Sequence, residues 1–346
     1  MTIECPVVTF PEREKSVGWR SLPEKVWPTA TFASIHMKKT KDIAILGATG
    51  QVGTPLTRSL LREGHRVRAL VRSRSERNEK LLAEYEEAGA EIRLCPEMDD
   101  VSAMARELEG SETLIASVSA TEDVITRLEP IWLQAAMAAG LQRFVPNEFG
   151  AHTQNLSYGD GVLFDHKKRL HEKIFESGIG WTFFYNGGIF DYLLPNLRFF
   201  EEVTTFGNLD LPIYTHQIED IGRFAALALT DDRTLNRCVQ MDFNHLTQRE
   251  MLDLVGKFWP EEPLVYKHYS SPYIIKMKSE AGDEVSAKKG AETDQERWGI
   301  NYVIYVAGKL AAFTDETLRG SELYPDFQCL SPVDALRDPA FFLEAK

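Results

Sequence analysis

From about Asp42 to Phe149, short apolar runs alternate with amphipathic stretches, a pattern that predicts parallel strands joined by helical crossovers. The expected strands are Ile43 to Leu46, Val67 to Val71, Glu91 to Leu94, Thr113 to Val118 and Arg143 to Pro146. Each intervening stretch is long enough for a helix, and Gly64, Gly89, Gly110 and Gly140 stand where those helices should end. Right-handed crossovers between such strands imply an α/β fold, a doubly wound parallel sheet with helices on both faces.

Beyond Asp160 the pattern predicts a strong helix, Val162 to Ser177, and a strand, Trp181 to Tyr185. Less regular patterning follows, with helices expected near Ile218 to Leu229, Gln248 to Phe258 and Ser271 to Glu280, and a short strand near Val239 to Phe243. Residues 41–160 thus read as a nucleotide-binding domain, and 161–346 as the rest of the sheet with a smaller C-terminal lobe facing a substrate. Residues 1–40 carry Pro6, Pro11, Pro23 and Pro28 without periodicity, which predicts an extended arm.

A formal net charge of −13 argues against a nucleic-acid partner, which needs a basic surface to displace counterions. Cys5, Cys95, Cys238 and Cys329 form no Cys-x-x-Cys pair, so reduced thiols in the cytoplasm are expected instead of a disulfide framework. No apolar run is long enough to span a membrane, and no His-x-x-x-His spacing suggests a metal. The remaining partner is a small molecule, bound by a monomer or homodimer.

The first strand runs into Gly47-Ala48-Thr49-Gly50-Gln51-Val52-Gly53 and then an amphipathic helix. In that context a glycine turn brings backbone amides and a helix N-terminus to a pyrophosphate, the Rossmann-type arrangement. An ordinary glycine-rich turn is the alternative. An enzyme specific for NAD would end its second strand with an acid to hold the ribose hydroxyls. This strand ends Leu70-Val71-Arg72-Ser73-Arg74 with no acid. Arg72 can pair with a 2′-phosphate, and Lys80 offers a second positive charge, so NADPH/NADP is the expected cofactor. A solvated surface pair, Arg72 and Arg74, is the competing reading.

Several segments now carry a resemblance: Gly47 to Gly53, Val71-Arg72, Arg143-Phe144-Val145-Pro146-Asn147-Glu148-Phe149-Gly150, the helix containing Lys167, Glu219-Asp220-Ile221-Gly222, and Glu322-Leu323-Tyr324-Pro325-Asp326. The chain resembles atypical short-chain dehydrogenases of the isoflavone reductase and phenylcoumaran benzylic ether reductase group, which is NmrA-like. It departs from them at Asn147, where the group has Ser, and at Gly187-Gly188-Ile189, where plant members have Asn-x-Phe. The Gly188 to Tyr192 variant is more similar to fungal members, which often serve secondary metabolism. The resemblance implies a pocket with Ser117, Asn147 and Phe149 on the cofactor side and Ser119, Gly188, Phe190 and Tyr192 on the substrate side. It also implies hydride delivery to a conjugated or aromatic small molecule of enone, quinone-methide or imine type. A non-catalytic NADP-sensing regulator, or a cyclase or isomerase using the same pocket, are the rival functions.

The Tyr-x-x-x-Lys pair of ordinary short-chain dehydrogenases is missing, because Leu163 and Phe164 stand four residues before Lys167 and Lys168. At about 100° per residue, Leu163, Phe164, Leu170, Ile174 and Phe175 define an apolar face. Lys167 falls near its middle and Lys168 at its edge. An unpaired lysine so placed must open onto a cavity or pay for desolvation, and the resemblance assigns the catalytic lysine to Lys167. The alternative is a snorkelling lysine. His171 shares the inner face as a candidate supporting group, and Glu148 is expected to fix the loop after the fifth strand.

Overall fold

The computed structural model describes residues 39–193, 203–258, 266–284 and 291–337. The arm expected over 1–40 thus lies outside the described residues except for Lys39 and Thr40.

Five strands fall where the apolar runs put them: β1 (Asp42–Leu46), β2 (Arg66–Val71), β3 (Glu91–Leu94), β4 (Thr113–Ala116) and β5 (Arg143–Val145). They alternate with helices α1 (Gly53–Arg62), α2 (Glu76–Glu87), α3 (Val101–Leu108) and α4 (Glu129–Ala138). Helix α5 (Val162–Ser177) and strand β6 (Gly180–Tyr185) follow. Short strands β7 (Gly188–Ile189), β8 (Val203–Phe206) and β9 (Ile213–His216) precede β10 (Arg237–Gln240), β11 (His245–Leu246), β12 (Tyr266–Tyr269) and β13 (Leu318–Arg319). A single turn, α6 (Phe190–Leu193), and the longer helices α7 (Ile218–Thr230), α8 (Gln248–Phe258), α9 (Ser271–Glu284) and α10 (Ala291–Tyr305) lie among them.

The main sheet has eight strands in the order β13-β10-β6-β5-β4-β1-β2-β3, and every pairing in it is parallel. Its order reverses between β1 and β4, where the loops leaving adjacent strands diverge and open a crevice for a ligand. Strand alternation builds both cores. Ile43, Ile45, Val67 and Ala69 pack beneath Leu56 and Leu60 of α1, Leu82 of α2 and Phe224 of α7. Ala44, Leu46, Leu114 and Phe144 face Met104 of α3, Trp132 of α4 and Leu170 of α5. A strand of period two between two helical layers leaves both of its faces apolar, which is why these runs read as continuous rather than alternating.

Three strands of this sheet lie beyond residue 160, one more than the sequence pattern suggested there. The expected strand at Val239 to Phe243 is instead Arg237–Gln240, and β4 and β5 end before Val118 and Pro146. The C-terminal lobe carries its own core, with Phe206, Ile213, Ile274, Trp298 and Val303 packed with Phe164 of α5. No helix among the described residues is long and apolar enough to cross a membrane.

Candidate functional site

The glycine turn is set by close backbone approach. Gly47 has φ +79, and a Cβ on it would stand 2.0 Å from the carbonyl oxygen of Ser117. A Cβ on Gly53 would lie 1.9 Å from the carbonyl oxygen of Gly47, so the first helical residue can only be glycine. Gly50 is different: it donates its amide to Gly47 at 2.8 Å, and its missing Cβ would meet that oxygen at 3.1 Å. Helix α1 begins without a side-chain cap and without an acid in its first turn. Its positive end therefore has no side chain of its own to neutralise it. Thr49 and Gln51 are exposed around it, Gly50 and Val52 half-buried. The buried Tyr85 hydroxyl donates to the Ala48 carbonyl at 2.8 Å and ties α2 to the turn.

At the end of β2 the two arginines separate. Arg74 is taken up by Glu79, 2.6 Å away, and by Glu86. Arg72 is exposed and makes no ion pair or hydrogen bond among the described residues. The two arginines thus differ: Arg74 is satisfied by acids of helix α2, while Arg72 stands in solvent. Lys80 does not open α2, which starts at Glu76; it lies exposed in the second turn.

The loop leaving β5 meets helix α5. Lys167 is buried at 4% exposure, as its position on the apolar face predicts, but it is not unpaired. Its Nζ donates to the Glu148 backbone carbonyl at 2.9 Å and lies 3.7 Å from Oε2 of the same residue. One turn further along α5, His171 Nε2 is 2.7 Å from Glu148 Oε1, and Thr153 Oγ donates to Oε2 at 2.6 Å. Gln154 Nε2 lies 2.5 Å from the other ring nitrogen of His171, so both ring nitrogens are engaged. The Glu148 carboxyl is fully buried, which alone would favour its acid form. Lys167, His171 and Thr153 outweigh this and hold it below its ordinary value. Glu148 is thus more than a loop fastener: it is the counterion of Lys167. Lys168 points elsewhere and donates to the Leu156 carbonyl at 2.7 Å. Phe175, expected on the apolar face, is 47% exposed and lies against Trp181 at the rim.

The next residue, Phe149, has φ +27, a conformation that costs an aromatic residue energy unless packing enforces it. Its ring packs edge-on against Phe184, with centroids 5.5 Å apart. On the other side, the buried Asn147 donates its amide to Glu129 Oε1 at 2.7 Å. Glu129 is fully buried at the start of α4, and burial pushes its carboxyl up to about 8. Sequence inspection misses it, since an acid followed by proline at a helix start reads as ordinary N-terminal chemistry.

The loops after β5 and β6 are joined where the Gly187 amide donates to Gly150 at 3.0 Å. Gly188 is half-buried, and a Cβ there would strike the Leu193 side chain. Tyr192 is half-buried, Ser117 is buried beneath Gly47, and Ser119 is exposed. Phe190 is a correction: at 1% exposure it packs among Met251, Val255, Ala335 and Leu336 as a core residue, not a pocket wall. A cavity of about 390 Å³ between α5, α9 and α10 is lined by Asp165, Lys278 and Tyr302, and includes neither Lys167 nor the glycine turn. No cluster of metal-ligating side chains occurs among the described residues.

This architecture, a doubly wound sheet with a glycine turn at its reversal point, defines a nucleotide-binding α/β protein. Residues 39–284 match the NmrA-like family, and the chain belongs to it. It is 28% identical over 317 residues to isoeugenol synthase 1 of Petunia hybrida, covering 85% of this chain and 92% of that one. It is 27% identical to the asnovolin J 5',6'-dehydrogenase of Aspergillus novofumigatus, covering 86% and 95%. Among solved structures, the leucoanthocyanidin reductase–NADPH complex from Vitis vinifera superposes with a TM-score of 0.70 at 22% identity, covering 86% of this chain and 98% of that one. A structure described as holding NADP+ and (+)-pinoresinol gives 0.71 at 23%, with the same coverage.

Proposed function

We propose that the protein is an NADPH-dependent reductase of a conjugated or aromatic small molecule of enone, quinone-methide or imine type, acting in secondary metabolism. The observation that carries this reading is the buried Lys167, held by Glu148 on a loop that leaves the same sheet edge as the glycine turn. Gly47, Thr49, Gly50, Gln51, Val52 and Gly53 would receive the pyrophosphate at the uncapped end of α1. Arg72, without a protein partner among the described residues, would take the 2′-phosphate with Lys80, and Ser117, Asn147 and Phe149 would border the nicotinamide. Solved structures of the same fold that hold NADPH or NADP+ support the same cofactor.

NADPH, when bound, supplies hydride. The chain's own part is proton delivery: Lys167 Nζ carries the proton that a developing enolate, phenolate or amide anion would take, and Glu148 stabilises the ammonium before transfer. Ser119, Gly188 and Tyr192 would border the substrate. The test is NADPH oxidation by the purified protein with a panel of enones, quinone methides and cyclic imines, followed by product analysis. Turnover with at least one class is expected. Tight NADPH binding with no oxidation by any class would overturn the reading in favour of a nucleotide-sensing regulator.

A further inference from the structure

We propose that Glu129 is a positioning residue, a buried carboxylic acid that clamps the Asn147 amide and so fixes the loop that holds Lys167. Its effect on turnover rests on the function proposed above; its effect on the loop does not.

The geometry is asymmetric. Glu129 is 0% exposed, and only Oε1 has a partner, the Asn147 amide at 2.7 Å. Oε2 and the Asn147 Nδ2 are both buried without a hydrogen-bond partner among the described residues. Among the described residues Glu129 forms no ion pair. An isolated buried carboxylate is costly, so the group keeps its proton. The charged groups acting on it are Lys167 from α5, which favours the anion, and Glu148 of the loop, which opposes it. Lys167 is already matched by Glu148, so a second carboxylate would leave the cluster with an excess negative charge. The two carboxyls are thus driven apart, Glu129 up to about 8 and Glu148 below its ordinary value. The clamp feeds directly into the site. Asn147 precedes Glu148, whose carbonyl and carboxylate both hold Lys167, and Glu148 precedes the strained Phe149. Removing the Glu129 carboxyl would therefore free the loop that shields Lys167.

The sign follows from proton binding. A carboxyl raised above its unfolded value binds more protons in the folded state, so stability is fully present below about 4.5 and falls as pH rises toward about 8. Glu129→Gln is the informative variant, because the amide copies the shape of the neutral acid and cannot ionise. Melting temperature is measured for wild type and Glu129→Gln from pH 5 to 9. In parallel, Lys167 methylation by formaldehyde and cyanoborohydride is measured by peptide mass spectrometry relative to exposed Lys80. The wild-type melting temperature is expected to fall more steeply toward alkaline pH than the variant's. The Lys167 to Lys80 labelling ratio should match wild type in Glu129→Gln, whose side-chain oxygen can accept the same Asn147 backbone amide. Equal slopes in the two proteins would overturn the proposal, as would a Glu129→Gln protein whose Lys167 labels faster than wild type. Glu129→Ala, which orphans the Asn147 amide, should expose Lys167 at all pH values; unchanged protection there would also overturn it. Neither readout needs a substrate, so these outcomes are separate from a failure of the reductase reading.

Discussion

The Nζ of Lys167 donates to the backbone carbonyl of Glu148 at 2.9 Å while the carboxylate of the same residue stands 3.7 Å away. One residue thereby supplies both the hydrogen bond that aims the ammonium and the charge that keeps it affordable in a buried site. Breaking such a pair from either side leaves a lone charge away from water, at a cost of about 3–5 kcal/mol.

Lys167→Met keeps the stem volume and removes the ammonium. Turnover on the responsive substrate should fall about 10²- to 10⁴-fold, the usual share of general acid–base catalysis. NADPH affinity, measured by fluorescence titration, should stay within a few fold. Lys168→Ala is the control, since Lys168 serves the Leu156 carbonyl and points away. Full turnover in Lys167→Met would make the lysine a packing residue.

Arg72 and Arg74 should behave oppositely despite being two residues apart. Arg72→Ala should remove most of an NADPH over NADH preference of at least about tenfold, or 1.4 kcal/mol. Arg74→Ala should leave the preference intact, because its guanidinium is engaged by Glu79 and Glu86. Equal affinity of the native protein for the two cofactors would remove the basis of the NADP assignment.

The three glycines of the turn should also separate. Gly53→Ala places a Cβ 1.9 Å from the Gly47 carbonyl and should lower stability enough to see in a denaturant melt, whatever the cofactor. Gly50→Val meets the same oxygen at 3.1 Å, a tight contact far milder than that at Gly53, so the fold should persist while the added side chain blocks the pyrophosphate. A Gly50→Val protein that binds NADPH normally would move the phosphates elsewhere.

Acid should destabilise the protein through its buried histidines. His216 Nδ1 donates to the Asn186 carbonyl at 2.9 Å and its Nε2 accepts the Asn244 amide at 3.2 Å, so the ring is held neutral, and burial pushes it down to about 4. The unfolded chain binds a proton near 6.5 that the folded chain refuses, so stability present above 6.5 is lost as pH falls toward 4. That window corresponds to roughly 3 kcal/mol at about 1.4 kcal/mol per pH unit. His152, also pushed down to about 4, acts in the same direction. Urea melts at pH 7 and pH 4.5 check this, with His216→Gln expected to flatten the difference; a variant with the full acid loss would exclude His216 as its source.

What the chain determines by itself is local and periodic. The β1 to β5 runs, the extent of α5 and the glycine turn are readable because each depends on residues within a few positions of one another. Lys167 could be placed on a buried face from helical geometry alone. Its partner could not, since Glu148 is 19 residues away and reaches it only after β5 and α5 pack on the same edge of the sheet. Folding of α2 likewise separated Arg72 from Arg74, because it brings Glu79 from its first turn and Glu86 from its last onto Arg74. It moved Phe190 into a core formed with α8 and residues near 335, elements with no sequence relation to Gly188. It also turned Glu129 from an ordinary helix-start acid into a buried one. A carboxyl's charge depends on what surrounds it in three dimensions, and at Glu129 that surrounding is assembled from α4, the β5 loop and α5.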